Sequence, residues 1–340
     1  MDLTRDSASS LRIRVVTDGR AGIQNQALGL AEAVQRLRPA EIEICRIGWR
    51  PAFDRWPSAL KQPWMRDPAS DPVLPPDGVP WPDIWIATGR ASLPLSLRAA
   101  TAGPGRPFVV QTQDPRWQTD RFDLVVAPEH DGLSGANVVS ILGSPHRITP
   151  ARIAEAVAAF ADRLDPLPHP RVAVLIGGRS ASHDLPPDHA TRLADQIAEA
   201  VAAVGGSVMV TLSRRTPPEA EAILRQRLES VPGWVWYGQG DNPYFAFLGA
   251  ADHVLVTEDS ANMAAEAAST GRPVHLLPMV ARKAGSKFDR LREALITRGL
   301  VRPFDGTFDG TFDGLASTTP LAETDRAARL LLARYDAWRA

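Results

Sequence analysis

Short runs of branched apolar residues alternate along this chain with longer stretches in which apolar positions recur every three or four. That is the pattern of strands alternating with helices, and it predicts parallel sheets covered on both faces. In the first half, strands are expected at Ile13 to Thr17, Glu41 to Ile47, Ile84 to Thr88, Phe108 to Gln111, Leu124 to Ala127 and Val138 to Ile141, with a helix from Gln26 to Arg38. The pattern fails between Trp49 and Pro82, where a Pro- and Trp-rich segment intervenes. An amphipathic helix is expected from Ala151 to Leu164, and Asp165-Pro-Leu-Pro-His-Pro170 reads as a stiff linker because proline fixes φ and cannot continue a helix. A second series follows. Its strands are Arg171 to Ile176, Ser207 to Leu212, Trp234 to Tyr237, His253 to Thr257 and Val274 to Leu277, with helices at Asp188 to Val204, Pro218 to Glu229 and Ala261 to Ser269. The tandem Phe304-Asp-Gly-Thr repeat running to Gly314 reads as a variable loop.

This order predicts an α/β protein of two Rossmann-like, doubly wound domains facing across a cleft: residues 1–164, a linker at 165–170, and residues 171–340, whose last helix can pack back on the first domain. The 340 residues suit two cores of about 150 residues each. Lys+Arg 38 against Asp+Glu 39 gives a charge of −1, so no global field draws the chain to nucleic acid, and any anion site must be local. A single cysteine, Cys45, excludes an internal disulfide and a multi-cysteine metal site. Neither a signal peptide at the N-terminus nor a run of the ~20 apolar residues needed to span a bilayer is present, which predicts a cytoplasmic protein, at most peripheral on the inner face of the membrane.

In doubly wound sheets ligands sit beyond the carboxyl ends of the strands, and that is where the polar residues fall. In the second half, Gly177-Gly178-Arg179 follows the first strand, Ser213-Arg214-Arg215 the second, Gln239 the third and Glu258-Asp259-Ser260 the fourth. Glycines allow close backbone approach, arginines hold phosphate bidentately, and Ser260 can cap a helix whose free N–H groups and dipole attract an anion. Ala261 and Asn262 open that helix, and Glu266 lies nearly two turns along it, placed to accept hydrogen bonds from ribose hydroxyls. The acidic pair Glu258-Asp259 adjoins this anion site and is expected to cap the helix rather than bind magnesium.

The first half repeats the bias with different chemistry. Asp18, Gly19, Arg20, Gly22 and Gln24 follow its first strand, Arg90 the third, Gln113, Asp114 and Arg116 the fourth, His130 and Asp131 the fifth, and His146 the sixth. The first turn is not GxGxxG and no acid follows the next strand, so a dinucleotide-dependent dehydrogenase is disfavoured. For Asp131 and His146 a role as turn residue or cap competes evenly with a role in a site. Trp49 to Arg66 holds three Trp and several cations, a mixture that fits a membrane interface, a lipid-linked acceptor, a partner surface or a packed core edge.

Thr17-Asp-Gly-Arg-Ala-Gly-Ile-Gln-Asn-Gln-Ala-Leu-Gly-Leu30, Ala87-Thr-Gly-Arg90, Gln113-Asp-Pro-Arg116, Ile176-Gly-Gly178 and Thr257-Glu-Asp-Ser-Ala-Asn-Met263 resemble the mitochondrial-fission ELM family over most of residues 13 to 280. The resemblance implies a GT-B-like fold, similar to nucleotide-sugar glycosyltransferases that act on lipid-linked or lipopolysaccharide acceptors of the cell envelope. By that likeness Glu266 occupies the ribose-contacting position, and Gly177-Gly178 and the Ser260 helix start the pyrophosphate-facing ones. The function so implied is inverting, metal-independent glycosyl transfer from a nucleoside diphosphate sugar, with Asp18 the first choice of base, Asp114 the second, and no cofactor. Two alternatives stand beside it. The plant member of the family is described as an adaptor that recruits a dynamin-like protein, which implies a non-catalytic binding role, and a nucleotide-sugar epimerase shares the fold.

Overall fold

The computed structural model describes residues 10–76, 78–283, 285–308 and 319–340. The N-terminal stretch read for a targeting signal and most of the Phe304-Asp-Gly-Thr repeat lie outside the described residues. The chain divides into two compact units: unit 1 comprises Met1–Arg147 with Ala322–Ala340, and unit 2 is Ile148–Leu321.

Unit 1 runs β1 (Leu11–Thr17), α1 (Ala21–Leu37), β2 (Ala40–Arg46), α2 (Pro51–Asp54), β3 (Ile84–Thr88), α3 (Leu93–Ala100), β4 (Phe108–Thr112), β5 (Leu124–Pro128) and β6 (Val138–Ile141). Its six strands are parallel in the order β2-β1-β3-β4-β5-β6. The central strands β3, β4 and β5 are buried at every position, which explains why they are continuously apolar instead of alternating. One face carries α1, whose Leu30, Ala31 and Val34 meet Ile13, Ile84 and Val110. The other is filled by Trp85, Leu93, Leu95 and Val109 together with Trp49 and Met65. The Trp-rich segment is therefore split, with its two ends in the core. Gly29 in α1 is where the helix touches the backbone of His146, since a Cβ there would stand 2.4 Å from that carbonyl oxygen. We expect Gly29→Ala to cost about 2 kcal/mol or more, because backbone rather than a flexible side chain must yield, read as a lowered thermal midpoint.

Unit 2 contains α4 (Pro150–Ala159), α5 (Ala161–Leu164), β7 (Arg171–Ile176), β8 (His183–Asp184), α6 (Pro187–Ala203), β9 (Ser207–Leu212), α7 (Pro218–Leu228), β10 (Gly233–Val235), α8 (Tyr244–Ala250), β11 (His253–Thr257), α9 (Ala261–Ala268), β12 (Val274–Leu277), β13 (Val280–Ala281), α10 (Lys287–Thr297) and β14 (Arg302–Pro303). The parallel order β10-β9-β7-β11-β12-β14 reverses between β7 and β11, and a small antiparallel pair, β13 with β8, stands apart. The closing helix, α11 (Glu323–Arg339), belongs to unit 1. Its Ala327, Ala328, Leu331 and Tyr335 share the core under α1, and Arg36 of α1 and Arg38, the residue that follows that helix, pair with Asp325 and Asp336. Among the described residues no helix is long and apolar enough to cross a membrane.

Four expectations need correction. The division falls at Arg147, ahead of the proline-rich Asp165–Pro170 stretch, because α4 packs on α8: a Cβ on Gly249 would meet Ile153 at 2.3 Å. The helix foreseen to Leu164 breaks at Phe160, whose ring stands 5.4 Å from Trp234. The third strand of unit 2 is shorter than Trp234 to Tyr237, since Trp236 turns its indole N–H to the Gln239 carbonyl. The start of the Phe304-Asp-Gly-Thr repeat is core: Phe304 and Phe308 are buried against the paired rings of His253 and His275.

Candidate functional site

The reversal of strand order in unit 2 opens a crevice between the carboxyl ends of β7 and β11, the place where a doubly wound sheet binds ligands. Two segments meet there. Gly177 N–H donates to Thr257 Oγ1 at 2.7 Å, and Gly178 N–H to Asp259 Oδ2 at 3.0 Å. The Thr257 hydroxyl donates in turn to Asp259 Oδ1 at 2.7 Å. Asp259 is buried to 1% exposure, and its carboxylate also holds Arg215, whose Nη2 lies 2.8 Å from Oδ2. Both glycines are required by this packing. A Cβ on Gly177 would come within 2.0 Å of the Asp259 carboxylate, and one on Gly178 within 2.1 Å of the Arg215 carbonyl.

The glycines therefore serve a purpose the sequence did not suggest. The resemblance places them facing a pyrophosphate, yet both N–H groups are spent on Thr257 and Asp259. The cation they help to place is Arg215, with its side chain 44% exposed. Around it, Arg179 N–H donates to the Arg215 carbonyl, and Ser213 and Thr216 close the turn, with the Thr216 hydroxyl donating to Gly177 O at 2.5 Å. Arg179 leans towards Asp184 at 3.5 Å, and Arg214 is exposed. Arg282 reaches the same loop after β7, where its Nη1 donates to Ser180 O and its N–H to Ser182 O. Sequence reading missed Arg282, because only the β8–β13 pairing brings residues so far apart together.

Ser260 is the N-cap of α9, accepting from Met263 N–H, and Ala261 and Asn262 form the first turn. The Glu258-Asp259 pair does not cap this helix, contrary to expectation. Asp259 is turned into the crevice, while Glu258 accepts from Met279 N–H at 2.8 Å and pairs with Arg292 at 3.0 Å. Glu266 is buried, and Tyr244 of α8 donates its hydroxyl to Oε2 at 2.5 Å. Burial pushes the Glu266 carboxyl up to about 7, against the opposing pull of that hydrogen bond, and raises the Tyr244 phenol. Tyr244 closes the polar run after the third strand, but its role could not be assigned from sequence, since α8 was not foreseen. Gln239 is exposed, with its carbonyl taken by Trp236.

In unit 1 the strand order reverses between β1 and β3, and Asp18 sits at that point. Its Oδ2 is 2.6 Å from Arg20 Nη2, Oδ1 accepts Arg20 N–H, and a Cβ on Gly89 would lie 4.0 Å from it. Arg20 is held firmly protonated by Asp18. Gly19 has φ +79° and makes the turn into α1; Gly22 and Gln24 lie in the first turn of that helix, and Arg90 is exposed beyond Gly89. Gln113 Nε2 donates to Gln26 Oε1 at 2.7 Å, and Asp114 accepts Arg116 N–H at 2.7 Å. Gln113, Arg116 and Gln118 all have positive φ, an uncommon concentration of strain in non-glycine residues after β4. The histidines do not join this rim. His146 is buried beneath α1, its N–H donates to Thr324, and burial lowers its imidazole to about 4, so it is neutral. His130 is buried in a turn with Nε2 4.0 Å from Asp131. Among the described residues no group of three or more His, Cys, Asp or Glu is arranged to hold a metal ion.

The model of the mitochondrial fission ELM1 family matches residues 21–335. The chain belongs to that family. The mitochondrial fission protein ELM1 of Arabidopsis thaliana is 32% identical over 271 residues, covering 73% of this chain and 62% of the plant protein, so the chain spans about three-fifths of that relative's length. An uncharacterised protein of Rickettsia prowazekii is 22% identical over 307 residues, covering 78% of this chain and 83% of its own. Among solved structures, the UDP-GlcNAc 2-epimerase of Neisseria meningitidis bound to UDP-GlcNAc is similar with TM-score 0.56 at 14% identity, over 97% of this chain and all of its own. A putative UDP-N-acetylglucosamine 2-epimerase of Listeria monocytogenes gives 0.59 at 12% identity, over 97% of each chain. At such identities the likeness is one of fold, and this ELM1-family chain has the GT-B-like pair of α/β units seen in nucleotide-sugar enzymes.

Proposed function

We propose that this ELM1-family protein is a glycosyltransferase that takes its sugar from a nucleoside diphosphate donor held by unit 2. The observation that carries the reading is the exposed Arg215 guanidinium, fixed by fully buried Asp259 at the switch point of the sheet, in the loop system that leads directly into the Ser260-capped start of α9. A diphosphate placed there meets Arg215, with Arg179 and Arg214 in the flanking loops, and the positive end of the α9 dipole. In the transfer step the acceptor hydroxyl attacks the anomeric carbon as the bond from that carbon to the phosphate oxygen breaks. The departing diphosphate takes the electron pair, and the arginines stabilise its growing charge without a metal. The hydroxyl proton goes to a carboxylate base. Asp18 is the candidate base once exposed Arg20 swings away from it, and Asp114 is the second. A lipid-linked or lipopolysaccharide-type acceptor of the cell envelope fits this reading, and the cytoplasmic side of the membrane is then the place of reaction.

A second reading has its own support, since the two solved structures named above are a 2-epimerase holding UDP-GlcNAc and a putative 2-epimerase. The two separate on one assay. An epimerase converts a nucleotide sugar supplied alone, whereas a transferase leaves it intact until an acceptor is added.

Both readings require a nucleotide. In thermal-shift screening of nucleoside diphosphates and their sugars, saturation at about 100 times Kd should stabilise unit 2 by roughly 2.7 kcal/mol, several degrees in midpoint. Arg215→Gln should weaken the responsive nucleotide at least about tenfold by removing a charge-assisted contact. If no nucleotide shifts the midpoint, both readings fail.

A further inference from the structure

The Trp49 to Arg66 segment is not used by the chemistry above, and the structure separates its members into two groups. Trp49 and Met65 are in the core, with the Trp49 indole N–H donating to Ala91 O at 3.0 Å. Trp56, Leu60 and Trp64 point outward, with 44%, 56% and 61% of their surfaces exposed. They are not loose ends. Phe53 holds both indoles by edge contacts, at 5.4 Å to Trp56 and 5.3 Å to Trp64. A further tryptophan, Trp117, is exposed in the strained loop after β4. It lines, with Ser58, Leu97, Arg98, Gln118 and Arg121, a mainly polar hollow of about 430 Å³. Three indoles held outward at one surface are far from the usual fate of tryptophan in a soluble unit, which is to be mostly buried.

The charges nearby have one sign in excess. Arg55, Arg90, Arg98, Arg116 and Arg121 are all exposed, and none of them forms an ion pair among the described residues. Lys61 also lines the hollow but is tied inward, donating to Asp54 O at 2.8 Å with its ammonium 4.9 Å from the Trp49 ring. Asp54, Asp114, Asp120 and Asp123 are the acidic residues within two positions of these cations, and Asp123 is paired with Arg106. Indole rings prefer the headgroup level of a bilayer, and arginine is attracted to its anionic phosphates.

We propose that this face of unit 1 is a docking surface for an anionic phospholipid bilayer: Trp56, Leu60, Trp64 and Trp117 enter the headgroup region, and Arg98 and Arg121 take lipid phosphate at the mouth of the hollow. The proposal holds whether or not the protein transfers a sugar, so it is tested without nucleotide.

The full chain is sedimented with vesicles of phosphatidylcholine alone and of phosphatidylcholine containing about a third phosphatidylglycerol, a composition with the negative surface potential of a cytoplasmic leaflet. Binding should appear on the anionic vesicles and fall steeply towards about 1 M salt, where the Debye length shrinks to about 3 Å. The double variant Arg98→Gln, Arg121→Gln should lower the partition coefficient roughly 30-fold, at about fivefold per arginine. Trp56→Ser with Trp64→Ser should reduce it and remove the blue shift of tryptophan emission that accompanies insertion. All four side chains are exposed, so the thermal midpoints of these variants should match the parent, and a variant that melts early is replaced by Trp117→Ser. Equal binding to neutral vesicles, unchanged binding of both double variants, or no binding at all would overturn the proposal, the last pointing to a protein occupant. Glycerol phosphate that competes as well as vesicles do would also overturn it, because the hollow would then be a soluble-phosphate site.

Discussion

Asp259→Ala should destabilise unit 2 by about 3 kcal/mol. The carboxylate has no solvent contact, and it satisfies Gly178 N–H, the Thr257 hydroxyl and Arg215 at once. Truncation leaves the amide and the hydroxyl buried without partners and opens a void between β7 and β11 that neither glycine can fill. Arg215 limits the damage, since its guanidinium is 44% exposed and can turn to water, which holds the loss towards the lower end of the range for a broken buried pair. Asp259→Asn separates the two parts of the effect. It keeps the volume but presents an N–H₂ to one of two donors, so it should lose less stability than alanine while still releasing Arg215. Urea unfolding of the three proteins measures this. If Asp259→Ala proves as stable as the parent, the crevice is not organised around that carboxylate, and the argument for a fixed Arg215 fails with it.

Glu266 carries the second large effect, and it depends on pH. Its folded-state carboxyl titrates at about 7, above the ordinary 4.5, because burial penalises the charge. A raised carboxyl contributes stability that is fully present below the unfolded value and is lost as pH rises through the folded one. The parent protein should therefore lose stability between about pH 4.5 and pH 7, on the order of 3 kcal/mol in total. Glu266→Gln retains an acceptor for the Tyr244 hydroxyl and cannot ionise. Its stability should be flatter across this window, and above pH 7 it should exceed that of the parent. Unfolding midpoints of the two proteins at pH 5.5 and pH 8 should differ in their pH dependence by about 2 kcal/mol. Parallel pH dependences would mean that the carboxyl is already solvated. Nucleotide affinity of the Gln variant bears on ribose recognition separately, since an amide still offers one oxygen to a hydroxyl.

The parallel sheets could be read from the chain because central strands buried on both faces must be apolar at every position, as Ile84 to Thr88 and His253 to Thr257 nearly are. The placement of the candidate residues beyond strand ends could also be read, since Gly177 and Ser213 follow β7 and β9 directly and Ser260 follows β11 after Glu258 and Asp259. Elements whose pattern is set by tertiary contact were not legible. Helix α8 is short and apolar on more than one side, the break at Phe160 answers a ring on another element, and Phe304 and Phe308 resemble loop residues until two buried histidines are placed against them.

The strand–turn–helix around Thr257 to Glu266 shows the division most clearly. Local chemistry alone determines that a strand ends there, that Ser260 caps a helix and that an acid follows two turns later, because caps and periodicity act over a few residues. What each group does was decided by partners about 20 to 80 positions away in the chain. Asp259 became the anchor of Arg215 and Gly178, Glu258 the partner of Arg292, and Glu266 a buried acid beneath Tyr244. Burial and hydrogen-bond satisfaction are properties of packed elements, so only the tertiary structure could assign those roles.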